Sequence, residues 1–170
     1  MFPYEADAAG RRWPALSIRA PWWWFILYAD KRHENRDWPH WYRDREMAKL
    51  RATKGAFLIH AAKGCTQTEF DEACGFAADC GVTRFPEFAS IARGGIVGRG
   101  VITGFVEAAD SPWFVGPGAL VIAEPIPLPL LPCRGALGFF QLPGYPFPGS
   151  GPVSSPPPCA ISPPRIPDYS

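Results

Sequence analysis

Residues 15–36 read ALSIRAPWWWFILYADKRHENR and decide the fold of the first third of the chain. Residues 15–19 have the pattern of a short strand. Pro21 suits the first turn of a helix, where its missing N–H costs nothing. The following residues are apolar on nearly all sides, which predicts a buried helix over residues 21–29. After a turn, residues 33–37 are predicted to form a second short strand.

This strand–helix–strand unit is expected to gather charged side chains. The helix returns the chain, so Arg19 and the cluster from Lys31 to Arg36 can line one cleft. Glu34 and Arg36 lie two residues apart on a strand and therefore share a face. A lysine, a glutamate and arginines that converge on a pocket could bind a phosphate and supply an acid–base pair. The alternative is a surface Glu–Arg ion pair beside a hydrophobic helix.

The rest of the sequence alternates strand and helix patterns. Thr66 and Glu69 form a capping-box pattern, which predicts the start of a helix that ends near Cys80. The other predicted elements are a polar, basic helix within residues 38–55, strands over residues 56–61, 95–109, 119–124 and 138–142, and a proline-rich stretch over 125–132 that cannot be a central strand. Glycines in the 95–109 segment indicate a bend or bulge, as in small barrels. We therefore predict an α+β domain built on a small β-barrel with flanking helices.

Composition sets the predicted boundaries. Residues 1–13 are predicted to be a loose leader, residues 14–142 the domain, and residues 143–170 an extended, disordered tail that contains ten prolines. The tail could present a proline-rich ligand to a protein partner. No secretory signal is recognisable, so the expected location is the cytoplasm.

Several classes of protein are excluded by composition. The chain is 47% hydrophobic and 19% charged, which is typical of a globular protein. No apolar run reaches the ~18 residues of a membrane helix. The five cysteines contain no CxxC pair, and the three histidines lack a ligand spacing. The sequence therefore predicts no metal site and no cofactor.

Positive charge and tryptophan are concentrated in the first third. Residues 11–63 carry twelve Lys/Arg and five Asp/Glu, whereas residues 64–142 carry four and eight. Six of the seven tryptophans precede residue 42. Basic side chains interleaved with aromatic rings suit phosphates and stacked bases, which is compatible with a nucleotide-like ligand. The alternative is a tryptophan-rich core edged by solvated charges.

Further side chains are candidates for the ligand site. Trp22, Trp38 and Trp113 could stack on bases, although core packing is the alternative for each. His60 ends a strand and could face the cleft, or it could be a hydrogen-bonded core histidine. Lys63 could reach a phosphate, or it could be a solvated surface lysine.

The motif Leu16-Ser17-Ile18-Arg19-x-Pro-Trp22, followed by Lys31-x-x-Glu34-x-Arg36, resembles the start of ASCH-domain proteins. The family stretch has a glycine where this chain has Ala29. Residues 58–61, 95–98 and 135–140 are also similar to the family, and the resemblance spans residues 14–142. It implies a PUA-like fold, which is a small β-barrel with flanking helices.

The resemblance also implies a function. ASCH proteins have a cleft that binds RNA or a modified nucleoside or nucleotide, and we expect Arg19, Lys31, Glu34, Asn35 and Arg36 to line it here. Some members look like ribonucleases, and one branch hydrolyses the acetyl amide of acetylated cytidine. In that branch a lysine and a threonine act with a distant glutamate.

Lys31 occupies the lysine position of that branch, and Glu34 occupies the threonine position, so the presumed nucleophile is absent. Three hypotheses follow: an RNA- or nucleotide-binding protein, a hydrolase that uses Lys31 and Glu34 as an acid–base pair, and an interaction module that acts through the tail.

Overall fold

The computed structural model describes residues 12–142 and shows an α+β domain. Its elements in chain order are β1 (Ala15–Ile18), α1 (Trp22–Tyr28), β2 (His33–Asn35), α2 (His40–Ala48), a 3-10 turn (Arg51–Thr53), β3 (Ala56–Ala61), α3 (Gln67–Asp79), β4 (Gly95–Val106), β5 (Ala119–Pro132) and β6 (Phe139–Phe140). The predicted tail and most of the predicted leader lie outside the described residues. Arg12 and Trp13 belong to the described part, where Arg12 donates to the carbonyl of Leu142.

One six-stranded sheet in the order β2-β5-β4-β3-β1-β6 forms the curled half-barrel. β1 and β3 are parallel, and the remaining neighbours are antiparallel. The curl brings opposite parts of the sheet together. Arg36, just after β2, donates from Nη2 to the carbonyl oxygen of Ser17 in β1 at 3.1 Å. The ring of Trp38 lies 6.0 Å from that of Phe139 in β6. The expectation of a barrel-like α+β domain is therefore met by a curled, half-barrel sheet.

The apolar helix α1 is buried against the sheet, as its sequence predicts. Trp23 and Ile26 lie in the main core together with the β1 residues Leu16 and Ile18. Phe25, on another side of the same helix, packs in a second core cluster with residues of α3 and the 111–118 loop. α1 therefore joins two apolar clusters: the main core, which contains residues of the sheet, and the cluster with α3 and the 111–118 loop.

The predicted capping box at the start of α3 is present. The Thr66 hydroxyl accepts from the Glu69 amide, and the Glu69 side chain accepts from the Thr66 amide. Such caps satisfy amides that have no partner within the helix. The cap fixes where α3 begins, and it orients the Glu69 carboxylate at the helix N-terminus.

The glycines of β4 are accompanied by bulges, as predicted. The pairing of β4 with β5 changes register between Ile96 and Gly98, between Arg99 and Val101, and between Ile102 and Gly104. Gly98 also permits close packing of α1, because a Cβ there would lie 2.7 Å from Cδ2 of Leu27. The absence of a side chain at this position lets the helix approach the strand.

The prediction that a strand ends at Glu124 is wrong, because β5 continues to Pro132. Glu124 adopts a φ of 50°, which bends the chain without ending its pairing with β4. Among the described residues, β2 pairs with β5 at Ala119–Val121, so residues 125–132 run along β4 beyond that contact. The proline-rich stretch, which the sequence predicts not to be a central strand, therefore forms the last part of β5 and pairs with β4.

Candidate functional site

A cavity of about 510 Å³ opens between the β1–α1 connection, the turn and strand after α1, and one face of α3. Its walls combine apolar and charged side chains. The lining residues are Arg19, Ala20, Trp22, Lys31, Glu34, Asn35, Glu69, Glu72, Ala73, Phe76 and Val115. The cavity volume falls in the range of small-molecule sites, roughly 300–1,000 Å³.

Lys31 lies in the cavity wall at the end of the turn after α1. Its backbone amide donates to the carbonyl of Phe25, and the preceding residue, Asp30, adopts a φ of 57°. These features direct the chain from α1 into β2. Lys31 is only 1% exposed. Its Nζ donates to Oε2 of Glu34 at 2.6 Å and to the carbonyl of His33, and it lies 5.7 Å from the ring centroid of Trp22.

Glu34 is the centre of a buried charge cluster. It occupies the middle of β2, opposite Leu120 of β5, and is 8% exposed. Its Oε2 accepts from Lys31, and its Oε1 accepts from Nη2 of Arg36 at 3.1 Å. Because the same Arg36 nitrogen also donates to Ser17, the cluster is anchored to β1. The predicted convergence of Lys31, Glu34 and Arg36 is therefore observed.

Burial and neighbouring charges shift the pKa of both members of the pair. Burial lowers the pKa of Lys31 below its ordinary value of 10.5, although the Glu34 charge acts in the opposite direction. Burial alone would raise the pKa of Glu34. The charges of Lys31 and Arg36 outweigh this effect, so the Glu34 pKa lies below its ordinary 4.5. Glu34 is therefore ionised at neutral pH, and the Lys31 amine loses its proton more readily than a solvated lysine.

The opposite side of the cavity is formed by Arg19 and the first turns of α3. The Arg19 guanidinium donates from Nε to the carbonyl of Gly64 and forms an ion pair with Glu69 at 2.9 Å. Both side chains are substantially exposed, so this pair contributes little stability. Arg19, which the sequence predicts to contact the ligand, is nevertheless already paired with Glu69.

The cavity lining does not carry the excess of positive charge found in the sequence. It contains two cationic side chains and three carboxylates. Lys31 is paired with Glu34, and Arg19 is paired with Glu69. Both cations of the cavity lining are therefore paired within residues 12–142, and neither is free to neutralise a phosphate.

Asn35 lines the cavity, but its amide group is engaged elsewhere. Its Nδ2 donates to the carbonyl of Trp113 at 2.9 Å, and its Oδ1 accepts from the amide of Val115 at 3.1 Å. These two bonds hold the 111–118 loop against the cavity, where Val115 forms part of the wall. Asn35 thus positions the loop.

Two of the three candidate stacking tryptophans lie outside the cavity lining. Trp113 is 7% exposed and packs against Phe25 and Phe76, at centroid distances of 5.8 Å and 6.0 Å. Trp38 stacks on Phe105 with an interplanar angle of 10°. Both positions correspond to the core-packing alternative. Trp22 does line the cavity, where the ring of Phe76 supports it edge-on.

His60 and Lys63 also lie outside the cavity lining. His60 is 2% exposed, and its Nε2 lies 3.1 Å from the carbonyl oxygen of Cys133. Because a carbonyl only accepts, Nε2 carries the hydrogen and Nδ1 accepts from the Ser17 hydroxyl at 3.0 Å. His60 is thus a hydrogen-bonded core histidine, the alternative considered above. Lys63 is exposed, with its aliphatic part against Gly94.

Local sequence patterns did not predict that α3 forms part of the cavity wall. Glu69, Glu72, Ala73 and Phe76 follow one another at spacings of three, one and three residues and line the cavity together. Such spacing places residues on one face of a helix. The capping-box pattern predicted where α3 begins, but nothing local indicated that this face would lie opposite Lys31.

Comparison with models of known protein families gives no match, and no curated protein matches the chain. Within residues 12–142, no group of three or more His, Cys, Asp or Glu side chains could hold a metal ion. No helix in this part of the chain is long and apolar enough to cross a membrane.

Proposed function

We propose that this chain is an ASCH-like, PUA-like domain that binds RNA or a modified nucleoside or nucleotide by taking one base into the cavity. The observation that carries the proposal is the cluster of Lys31, Glu34 and Arg36. These are the residues of the Lys-x-x-Glu-x-Arg motif, one of the motifs that carry the resemblance. The structure brings them together, and two of them, Lys31 and Glu34, line the cavity.

The walls of the cavity have the chemistry that a base needs. Trp22 and Phe76 supply aromatic surface, and Ala20 and Ala73 leave room beside them. Lys31 and Glu34 place a donor and an acceptor on the same wall. Proteins recognise unpaired bases by stacking on aromatic rings and by hydrogen bonds to the base edges. A base and its ribose fit this combination of apolar faces and few polar groups.

The charge of the cavity favours the base over the phosphate. Both cations of the lining are already paired, and Glu72 adds a further carboxylate. A phosphate inside the cavity would therefore meet net negative charge. We expect the base and ribose to enter, with any phosphate outside.

Calorimetry with the four ribonucleosides and an acetylated cytidine tests the proposal. We expect Lys31→Ala to weaken binding about ten-fold or more, since it removes a charged hydrogen-bonding group. Lys63→Ala is the matched control, because Lys63 is exposed and outside the cavity lining. Trp22→Leu, which leaves the ion pair in place, provides a second reading of the same site. Binding that is equal in the wild type, Lys31→Ala and Trp22→Leu would refute the cavity as the binding site.

A second candidate is an amide hydrolase at the same cavity, favoured by the lowered pKa of Lys31 and its direct contact with Glu34. A neutral Lys31 amine would take a proton from water as the oxygen attacks the acyl carbon. The proton would pass to the leaving nitrogen as the C–N bond breaks, giving a carboxylic acid and an amine.

Turnover of acetylated cytidine tests the hydrolase. Lys31→Arg retains a positive charge but removes a base that can titrate near neutral pH. Loss of deacetylation with retained nucleoside binding would support the hydrolase. If the wild type forms no free cytidine from acetylated cytidine, deacetylation is refuted and only the binding function remains.

A further inference from the structure

An exposed tryptophan lies on α2, outside the cavity lining. Trp41 is 68% exposed, although large aromatic side chains usually contribute to the core. The guanidinium of Arg45, one turn later, lies 5.7 Å from the Trp41 ring centroid and 4.6 Å from that of Tyr42. The indole is therefore held by its neighbours while much of its surface remains accessible.

The segment that carries Trp41 is rich in positive charge. Residues 40–54 contain five Lys/Arg and two Asp/Glu. One of these carboxylates, Glu46, is fully buried and accepts from Arg45, from Lys49 and from the Phe139 amide. Glu46 therefore offsets part of the positive charge of its partners Arg45 and Lys49, and the excess positive charge of the segment lies towards its end.

Two cations at the end of this segment have no salt-bridge partner within the described part of the chain. Arg51 and Lys54 are exposed, and neither belongs to an ion pair within residues 12–142. Arg51 begins the 3-10 turn that follows α2, ten residues after Trp41 in the chain. The segment from Trp41 to Lys54 thus carries both exposed aromatic surface and exposed positive charge.

We propose that the exposed side chains of Trp41, Arg45, Arg51 and Lys54, the α2 surface, bind single-stranded RNA through its phosphates and one stacked base. This inference rests on the proposed function, because a cavity without a free cation leaves the phosphates of a bound RNA to be neutralised elsewhere. Aromatic rings interleaved with lysine and arginine are the usual platform for single strands. The α2 surface extends recognition from one base to a strand.

The test is anisotropy of a fluorescein-labelled oligouridine of about ten nucleotides, with calorimetry of nucleosides in parallel. Trp41→Ala is expected to weaken RNA binding about ten-fold. Arg51→Gln with Lys54→Gln is expected to reduce the slope of log affinity against log salt by about 1.4, since each phosphate contact on a single strand contributes about 0.7. Nucleoside affinity should not change in any of these variants.

The matched controls are Tyr28→Ala, which removes another exposed aromatic residue, and Arg134→Gln, which removes an exposed cation elsewhere. Full RNA affinity and an unchanged salt slope in the α2 variants, equal losses in the controls, or no RNA binding by the wild type would overturn the α2 surface. If the cavity proposal were wrong, the wild type would not bind nucleosides. RNA binding that still depends on the α2 surface would then show that only the cavity proposal had failed.

Discussion

The Nζ atom of Lys31 lies 2.6 Å from Oε2 of Glu34, and both side chains are buried in the wall of the cavity. The second carboxylate oxygen of Glu34 accepts from Arg36, so the glutamate has two cationic partners. Lys31, in contrast, forms one ion pair within residues 12–142, and its partner is Glu34. This asymmetry has consequences for stability, because a buried charge without its partner is costly.

We predict that Glu34→Ala destabilises the fold more than Lys31→Met does. The glutamate variant leaves two cations together in a buried site and should cost about 3–5 kcal/mol. The lysine variant leaves Glu34 paired with Arg36, and the methionine fills much of the lysine volume, so the loss should be smaller. Urea unfolding of both variants measures the difference. A larger loss in Lys31→Met would contradict the described pairing.

We predict that Glu34 makes the protein sensitive to acid. Its pKa in the folded protein lies below the ordinary 4.5, because the charges of Lys31 and Arg36 outweigh the effect of burial. The unfolded chain therefore binds this proton first as the pH falls, and the stabilisation is lost as the pH passes through the folded pKa. Unfolding free energies measured from about pH 6 to about pH 3 should fall more steeply for the wild type than for Glu34→Gln. Parallel curves would show that Glu34 has no shifted pKa.

Two glycines of β4 should respond differently to alanine. A Cβ at Gly98 would lie 2.7 Å from Leu27 and 3.0 Å from the carbonyl oxygen of Ile126, whereas a Cβ at Gly104 would have no neighbour within 4 Å. Gly98→Ala should therefore cost about 1–3 kcal/mol through overpacking. Gly104→Ala should change stability by less than about 0.5 kcal/mol. Equal effects in urea unfolding would mean that α1 does not pack on β4 as described.

We predict that the two hydrogen bonds of Asn35 hold the 111–118 loop, which carries Val115, in place. Asn35→Ala removes the acceptor of the Val115 amide and the donor to the Trp113 carbonyl. Hydrogen exchange of the Val115 amide should accelerate, while the Ile122 amide, which donates to the carbonyl of Arg32, remains protected. Unchanged exchange at Val115 would show that the loop is held by other contacts.

The sequence predicted those helices and strands whose patterns are contained within the element itself. The apolar run after Pro21 predicted the buried helix α1, Thr66 and Glu69 predicted the start of α3, and the glycines of residues 95–109 predicted a bulged strand. The Lys31–Glu34–Arg36 cluster followed from strand alternation and a return of the chain. These predictions succeed because each depends on residues close together in sequence.

The missed features depend on distant residues. β5 passes beyond Glu124 because β4 continues to pair with it, which no property of residues 125–132 alone indicates. The α3 side of the cavity depends on how that helix packs across from β2. Arg19 was assigned to the ligand, but Glu69, fifty residues later in sequence, already binds it. Pairings of this kind are determined by the tertiary fold.

The most direct test of the central claim is the ¹H–¹⁵N NMR spectrum of the tryptophan indoles during titration with nucleosides. Trp22 lines the cavity, whereas Trp41 lies on the α2 surface, and Trp22→Phe and Trp41→Phe spectra assign the two signals. The account predicts a saturable shift of the Trp22 indole with little change at Trp41, and loss of this shift in Lys31→Ala. No shift at Trp22 with any of the nucleosides would contradict the cavity as the binding site.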